Sequence, residues 1–170
     1  TTNVGNLSFH SHGVVTLQED SATEFVGNNS ALSLRIDSAG DVSDTSTTFA
    51  VSNLAEFHGT TITLGGAASH TEIGMLNFDA PGDVSIQVDA STELVGDNSA
   101  LGLVLDSTGG ITDSSTSLNV TGLADFSGSS IEVGGAASNT NFGALSFHSS
   151  GAVTIQEDSS TLVNAALNPG

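Results

Sequence analysis

The sequence predicts an all-β protein, a parallel β-helix (β-solenoid) of about seven rungs of 22 to 25 residues each, and three observations carry that prediction. The first is a long internal repeat. Residues 2–70 align without a gap on 71–139, with 34 of the 69 positions identical, as in GNNSALSL against GDNSALGL. A third copy starts at Thr140 and loses the pattern after Thr161. The second is a finer recurrence: Leu7, Leu32, Leu54, Leu76, Leu101, Leu123 and Leu145 are spaced by 22 or 25, each followed by a Gly-containing turn. The third is alternation after those turns, as in Val15-x-Leu17 and Ile62-x-Leu64, the period of two that marks a half-buried strand.

Each element of the prediction has its own ground. Units 2–70, 71–139 and the partial 140–161 make one domain over 1–170, because a single turn of a solenoid cannot bury its own apolar face and stacked turns share one core. The final segment, LVNAALNPG over 162–170, departs from the columns and is expected to be a cap or a junction. Within each rung, the Gly column (Gly13, Gly40, Gly59, Gly82, Gly109, Gly128, Gly151) marks turns, and Gly, Ser, Thr and Asn are poor helix formers. Inward positions are expected at Phe9, Val15, Leu17, Leu32, Leu34, Val42, Leu64, Phe78, Val84, Ile86, Leu101, Leu103, Ile111, Phe147, Val153 and Ile155. Leu54 and Phe57, like Leu123 and Phe126, are three apart, so the chain must bend there. An antiparallel sandwich also has many short strands, but nothing in it would repeat the same Leu and Gly columns along the chain.

Charge restricts the partners. Nineteen acids against Arg35 alone give a formal net charge of −18, a surface that repels phosphate and anionic lipid and attracts cations. Nucleic acid is therefore not an expected partner. Membrane insertion is not expected either, since no run approaches the ~18 apolar residues a span needs. Without Cys there is neither disulfide nor thiol chemistry. No basic–apolar leader opens the chain, so the numbering is expected to begin inside a longer or processed protein.

Acids are the most abundant reactive groups, so acid–base catalysis is the first chemistry to weigh. It needs a singular carboxylate pair with one raised pKa, and sugar chemistry usually adds Arg, Lys or aromatic rings. Here Lys, Trp and Tyr are absent and Arg35 becomes Val104 one unit on, so no enzyme is expected. The turn acids suit a hard cation better. Asp37, Asp41 and Asp44 fall within IDSAGDVSD around a Gly, and the next unit keeps Asp106 and Asp113. Ca2+ takes six to eight oxygens of this kind, which makes these five the candidate metal ligands and Ca2+ the candidate cofactor, with none required. The alternative is that they cap local backbone N–H groups. Asp44 and Asp113 sit in a column that is otherwise Leu, Ile or Val, and burying an unpaired carboxylate is costly, so a corner position is expected for both. Of the five His, only His10 and His148 share a column, with Asp79 between them; stacked three rungs apart, roughly 14 Å, they are too distant to share zinc. Asn28, Asn29, Asn53 and Asn98 read as turn or ladder residues. The Thr61-x-Thr63 pair gives way to Ser130 and Glu132, so no flat ice-binding rank of Thr persists.

The phrases SSGAVTIQEDSS, NVTGLADFSGSSIEVGG and ALGLVLDSTGGITDSS resemble the β-strand repeat regions of giant bacterial surface proteins, which are similar to the β-helical stalks of filamentous haemagglutinin and autotransporter adhesins. The resemblance runs to Thr161. It implies a right-handed helix and an exported, elongated unit at the cell surface, a stalk, fibre or sheath. Its partners would then be further copies end to end, or the rest of a longer chain. The alternative is an adhesin module binding carbohydrate or a partner cell.

Overall fold

The computed structural model describes residues 3–66, 69–135 and 138–163, and its regular structure there is strand throughout. Every strand pairs in parallel with one from a neighbouring coil, which makes the chain a parallel β-solenoid. Two ladders run its length. In the first, Glu24 lies on Asn6, Ser43 on Glu24, Thr63 on Ser43, Ser85 on Thr63, Val104 on Ser85, Asp125 on Val104 and Ser146 on Asp125. The second runs from Thr16 through Arg35, Glu56 and Asn77, then from Glu93 through Thr112 and Glu132 to Thr154. Its eight strands mark eight turns, and at ~4.8 Å per turn the rod is about 38 Å long.

One coil takes 18 to 22 residues, which corrects the expected 22 to 25. The expected length came from reading all seven Leu as one column, and they occupy three positions. Leu76 and Leu145 face inward on Ala55 and Ala124. Leu54 and Leu123 sit at the irregularities that interrupt Thr48–His58 and Ser117–Gly128, where the register shifts after Val51 and Val120. The Leu-x-x-Phe spacing predicts a bend, but Leu54 to Phe57 and Leu123 to Phe126 run in unbroken register and the irregularity precedes each Leu; Ala55 and Ala124 take the inward positions beside the Phe. Leu32 and Leu101, expected inside, stand at corners and are 48% and 51% exposed. Their amides donate to the Gly13 and Gly82 carbonyls of the coil below, and strands follow from Ser33 and Leu103. Val153, on the last full coil, is also on the surface.

A consequence of the true coil length is that a 69-residue unit spans three and a half coils. Glu24 of the first ladder becomes Glu93 of the second, and Glu56 of the second becomes Asp125 of the first. Each unit is therefore turned by half a revolution from the one before. The third side of the coil changes sides with it. In the first unit it is formed by Asn28–Ala31 and the early parts of Thr48–His58 and His70–Asp79, between first and second ladder. In the second unit it is Asp97–Ala100 and the early parts of Ser117–Gly128 and Asn139–Ser149, between second and first.

Alternation fills the interior. Leu34, Ile36, Ala55, Phe57, Leu76, Phe78, Val84, Ile86, Leu103, Leu105, Ile111, Phe126, Ile131 and Val133 are all buried, in one core that passes through the unit boundary. Phe9, Phe25, Phe49 and Phe57 form a cluster of edge-on and tilted ring pairs with centroids 5.0 to 6.3 Å apart. Phe9 and Phe147, at opposite ends, are half-buried against the core, as are Val15, Leu17 and Ile155. Two buried Asn splice coils together. Asn29 accepts from the Phe9 amide and donates to the Val26 carbonyl, and Asn98 does the same with Phe78 and Val95. This is the ladder role expected for them.

Candidate functional site

The strongest polar features are at the corners, and each appears once per unit. Asp44 ends the strand Val42–Asp44. Its Oδ1 accepts from the Ser46 amide at 2.8 Å and its Oδ2 from the Gly65 amide of the next coil at 3.1 Å. Asp113 repeats the arrangement with Ser115 and Gly134, both at 2.8 Å. Gly65 and Gly134 have φ of 75° and 78°, and a Cβ at either would collide with the carbonyl of Gln87 or Gln156. The column that is apolar elsewhere is thus carboxylate here because the chain leaves the strand and two amides need an acceptor, which is the expected corner role. A second pair follows. Asp89 accepts from the Thr71 amide at 2.8 Å and returns its own amide to the Thr71 carbonyl, and Asp158 does the same with Thr140.

The remaining candidate ligands are dispersed. Asp37, half-buried on the second ladder, takes two bonds from Arg35, at 3.2 and 3.3 Å. Asp41, beyond the turn, is exposed and accepts from Thr61 at 2.9 Å. Asp106 lies on the first ladder, across the rod from Asp37. Among the described residues, no three acids or His converge in a way that could hold a metal ion. The set Asp37, Asp41, Asp44, Asp106 and Asp113 is therefore split between capping and surface positions. His10 and His148 are two units apart, which is seven coils or about 34 Å, rather than the three rungs expected.

One depression has a lining that the next unit does not repeat. Where the third side changes over, Glu56, His58, Asn77, Asp79, Asp97 and Asn119 line an open hollow of about 550 Å3. His58 bridges it, with Nε2 3.2 Å from Glu56 and Nδ1 3.7 Å from Asp79, while Glu56 also takes Arg35 at 2.6 Å. The two ring nitrogens point to opposite acids, so the trio forms a line rather than a convergent cage. Asp37 and Glu56 hold the Arg35 guanidinium above its ordinary pKa, the Asp37 hydrogen bond first and the Glu56 charge next. One unit on, the positions of Glu56, His58, Asn77 and Asp79 carry Asp125, Ser127, Ser146 and His148.

Two groups escaped the sequence reading. Glu19 is buried and accepts from the Val4 amide at 3.0 Å. Glu157, its counterpart two units on, accepts from the Phe142 amide at 3.0 Å. Burial works against the charge of Glu157, but bonds from Ser159, Thr161 and the amides of Phe142 and Ser159 outweigh it and hold its pKa below the ordinary value. Retention at fixed phase could not have found these two, because their column reads Glu19, Val88 and Glu157; it marks only the neighbouring column, Asp20, Asp89 and Asp158.

No family model, curated protein or solved structure matches this chain. Its class follows from the fold itself: a repeat protein of the parallel β-solenoid type. Its unit spans three and a half coils, and the Asp44 corner of the first unit recurs as the Asp113 corner of the second.

Proposed function

We propose that the chain is a structural repeat segment of an extracellular bacterial surface protein, a rigid rod that serves in a stalk, fibre or sheath and continues either in a longer chain or end to end with another copy. The observation that carries this reading is the core, which passes without a break through the boundary between units although each unit is turned by half a revolution. A spacer needs nothing else. The surface acids fit it too, since they keep like rods apart and hydrated, and the best-placed carboxylates are spent on backbone amides rather than on a reacting centre. The reading requires neither catalysis nor a cofactor.

The test is length. Versions of the chain carrying two, four and six 69-residue units should lengthen by about 17 Å per unit in small-angle scattering, three and a half coils at ~4.8 Å. Growth as the cube root of mass would mean that the units fold back on one another, and the rod reading would fail. A second reading, an adhesin module for carbohydrate or a partner-cell surface, draws on the hollow around His58. Glycan-array binding that is lost in Asp79→Ala and Asn119→Ala would favour it.

A further inference from the structure

The half-turn between units places two equivalent grooves on opposite sides of the rod. One is lined by His12, Ser30, Leu32, Ala50 and Ser52, the other by the residues 69 positions on: Pro81, Ser99, Leu101, Asn119 and Thr121. Each centres on a half-exposed Leu that both copies keep, although neither supports the core. No acid lines either groove, on a chain with nineteen. Patches of this kind let two such rods approach without bringing carboxylates together.

The rims differ in chemistry. His10 stands 2.5 Å from the Ser30 hydroxyl at the first groove. Its equivalent at the second is Asp79, which accepts from Ser99 and is also 3.7 Å from His58. A groove meeting its own kind would face His against His or Asp against Asp. The first groove against the second brings an imidazole, whose Nε2 can donate a hydrogen bond, to a carboxylate that can accept it, with the two Leu between them.

We propose that the occupant of each groove is a second copy of this chain, the Leu32 side of one rod docking on the Leu101 side of the next. Because the two sides are half a turn apart, the contact is heterologous and does not close, so it builds a ribbon of side-by-side rods. Successive rods are staggered by three and a half coils, about 17 Å. The patches are small, which sets the association in the range of about 0.1 to 1 mM for an isolated chain. Many units in one molecule would strengthen it through multivalency. The inference rests on the structural-rod reading and adds its partner.

Sedimentation of Leu32→Glu, Leu101→Glu and the unchanged chain tests it. The unchanged chain should gain mass with concentration. Each variant alone should remain monomeric, and an equimolar mixture of the two should recover dimers and nothing larger, because only one competent pair of sides is left. A chain that stays monomeric to about 1 mM overturns the proposal. Variants that still self-associate overturn it too, as does a mixture that stays monomeric while the unchanged chain associates. Scattering from the monomeric samples reports separately on the rod, so a failed docking leaves the spacer reading standing. If Glu disturbs folding, Leu32→Ser and Leu101→Ser repeat the test with a smaller change.

Discussion

Replacing Asp113 by Ala removes the acceptor for two backbone amides at once, those of Ser115 and Gly134, each 2.8 Å away. A net contribution of about 1 kcal/mol per bond, with the added cost of leaving half-buried N–H groups unpaired, puts the loss at about 2 to 3 kcal/mol. The Gly134 amide has little freedom to find another partner, because its residue is held at φ 78° beneath the Gln156 carbonyl. Asp113→Asn keeps one carbonyl oxygen and turns the other into a donor, so about half of the loss should remain. Asp41→Ala is the control. Its carboxylate is exposed and takes one bond from a Thr hydroxyl, so the change should stay within about 0.5 kcal/mol. Urea unfolding followed by circular dichroism in EDTA measures all three, with an unchanged m-value showing that the same surface unfolds. The capping argument is refuted if Asp113→Ala costs no more than Asp41→Ala. A loss that appears for both variants only when Ca2+ is added would instead assign the turn acids to a cation.

Phe57→Ala, at a fully buried position, should cost about 3 to 5 kcal/mol in the same assay, while Leu101→Ala should cost less than about 1 kcal/mol despite the prominence of that Leu in the sequence. Gly65→Ala should destabilise by more than about 1 kcal/mol, since the new Cβ meets both an unfavourable φ and the Gln87 carbonyl; a neutral result would show that the turn relaxes. Glu157 has a lowered folded pKa, so its contribution is complete above its unfolded pKa and is lost as pH falls through the folded one. Thermal melting from about pH 5 down to about pH 3 should therefore fall less steeply for Glu157→Gln than for the unchanged chain, and identical slopes would refute the assignment.

The ladder architecture was legible because a solenoid places each residue type in the same surroundings again and again. Alternation placed Leu34, Val84 and Ile111 inside correctly, whereas the spacing of Leu54 and Phe57 reflected only a Leu that does not face the core, with the register shift just before it. What misled was the use of Leu as a ruler. Leu32 and Leu76 look alike in sequence, yet one turns a corner and the other fills the core, since a residue before a strand and one within it differ only in where the backbone bends. Coil length could not be read from the repeat either, because 69 residues hold a half-integral number of turns and the sequence shows only their total. The hollow around His58 was illegible for a related reason. Glu56 and His58 share one strand, but Asp79 lies one coil on and Asp97 a coil beyond that, so they meet only where the third side changes over.

The half-integral unit also sets a rule of parity. Adding one unit moves whatever follows along the axis by three and a half coils and carries it to the other side of the rod, whereas adding two restores its original bearing. Molecules that gain or lose single units by recombination would therefore differ in the direction their far end faces as well as in reach. Those that change by pairs would differ in reach alone.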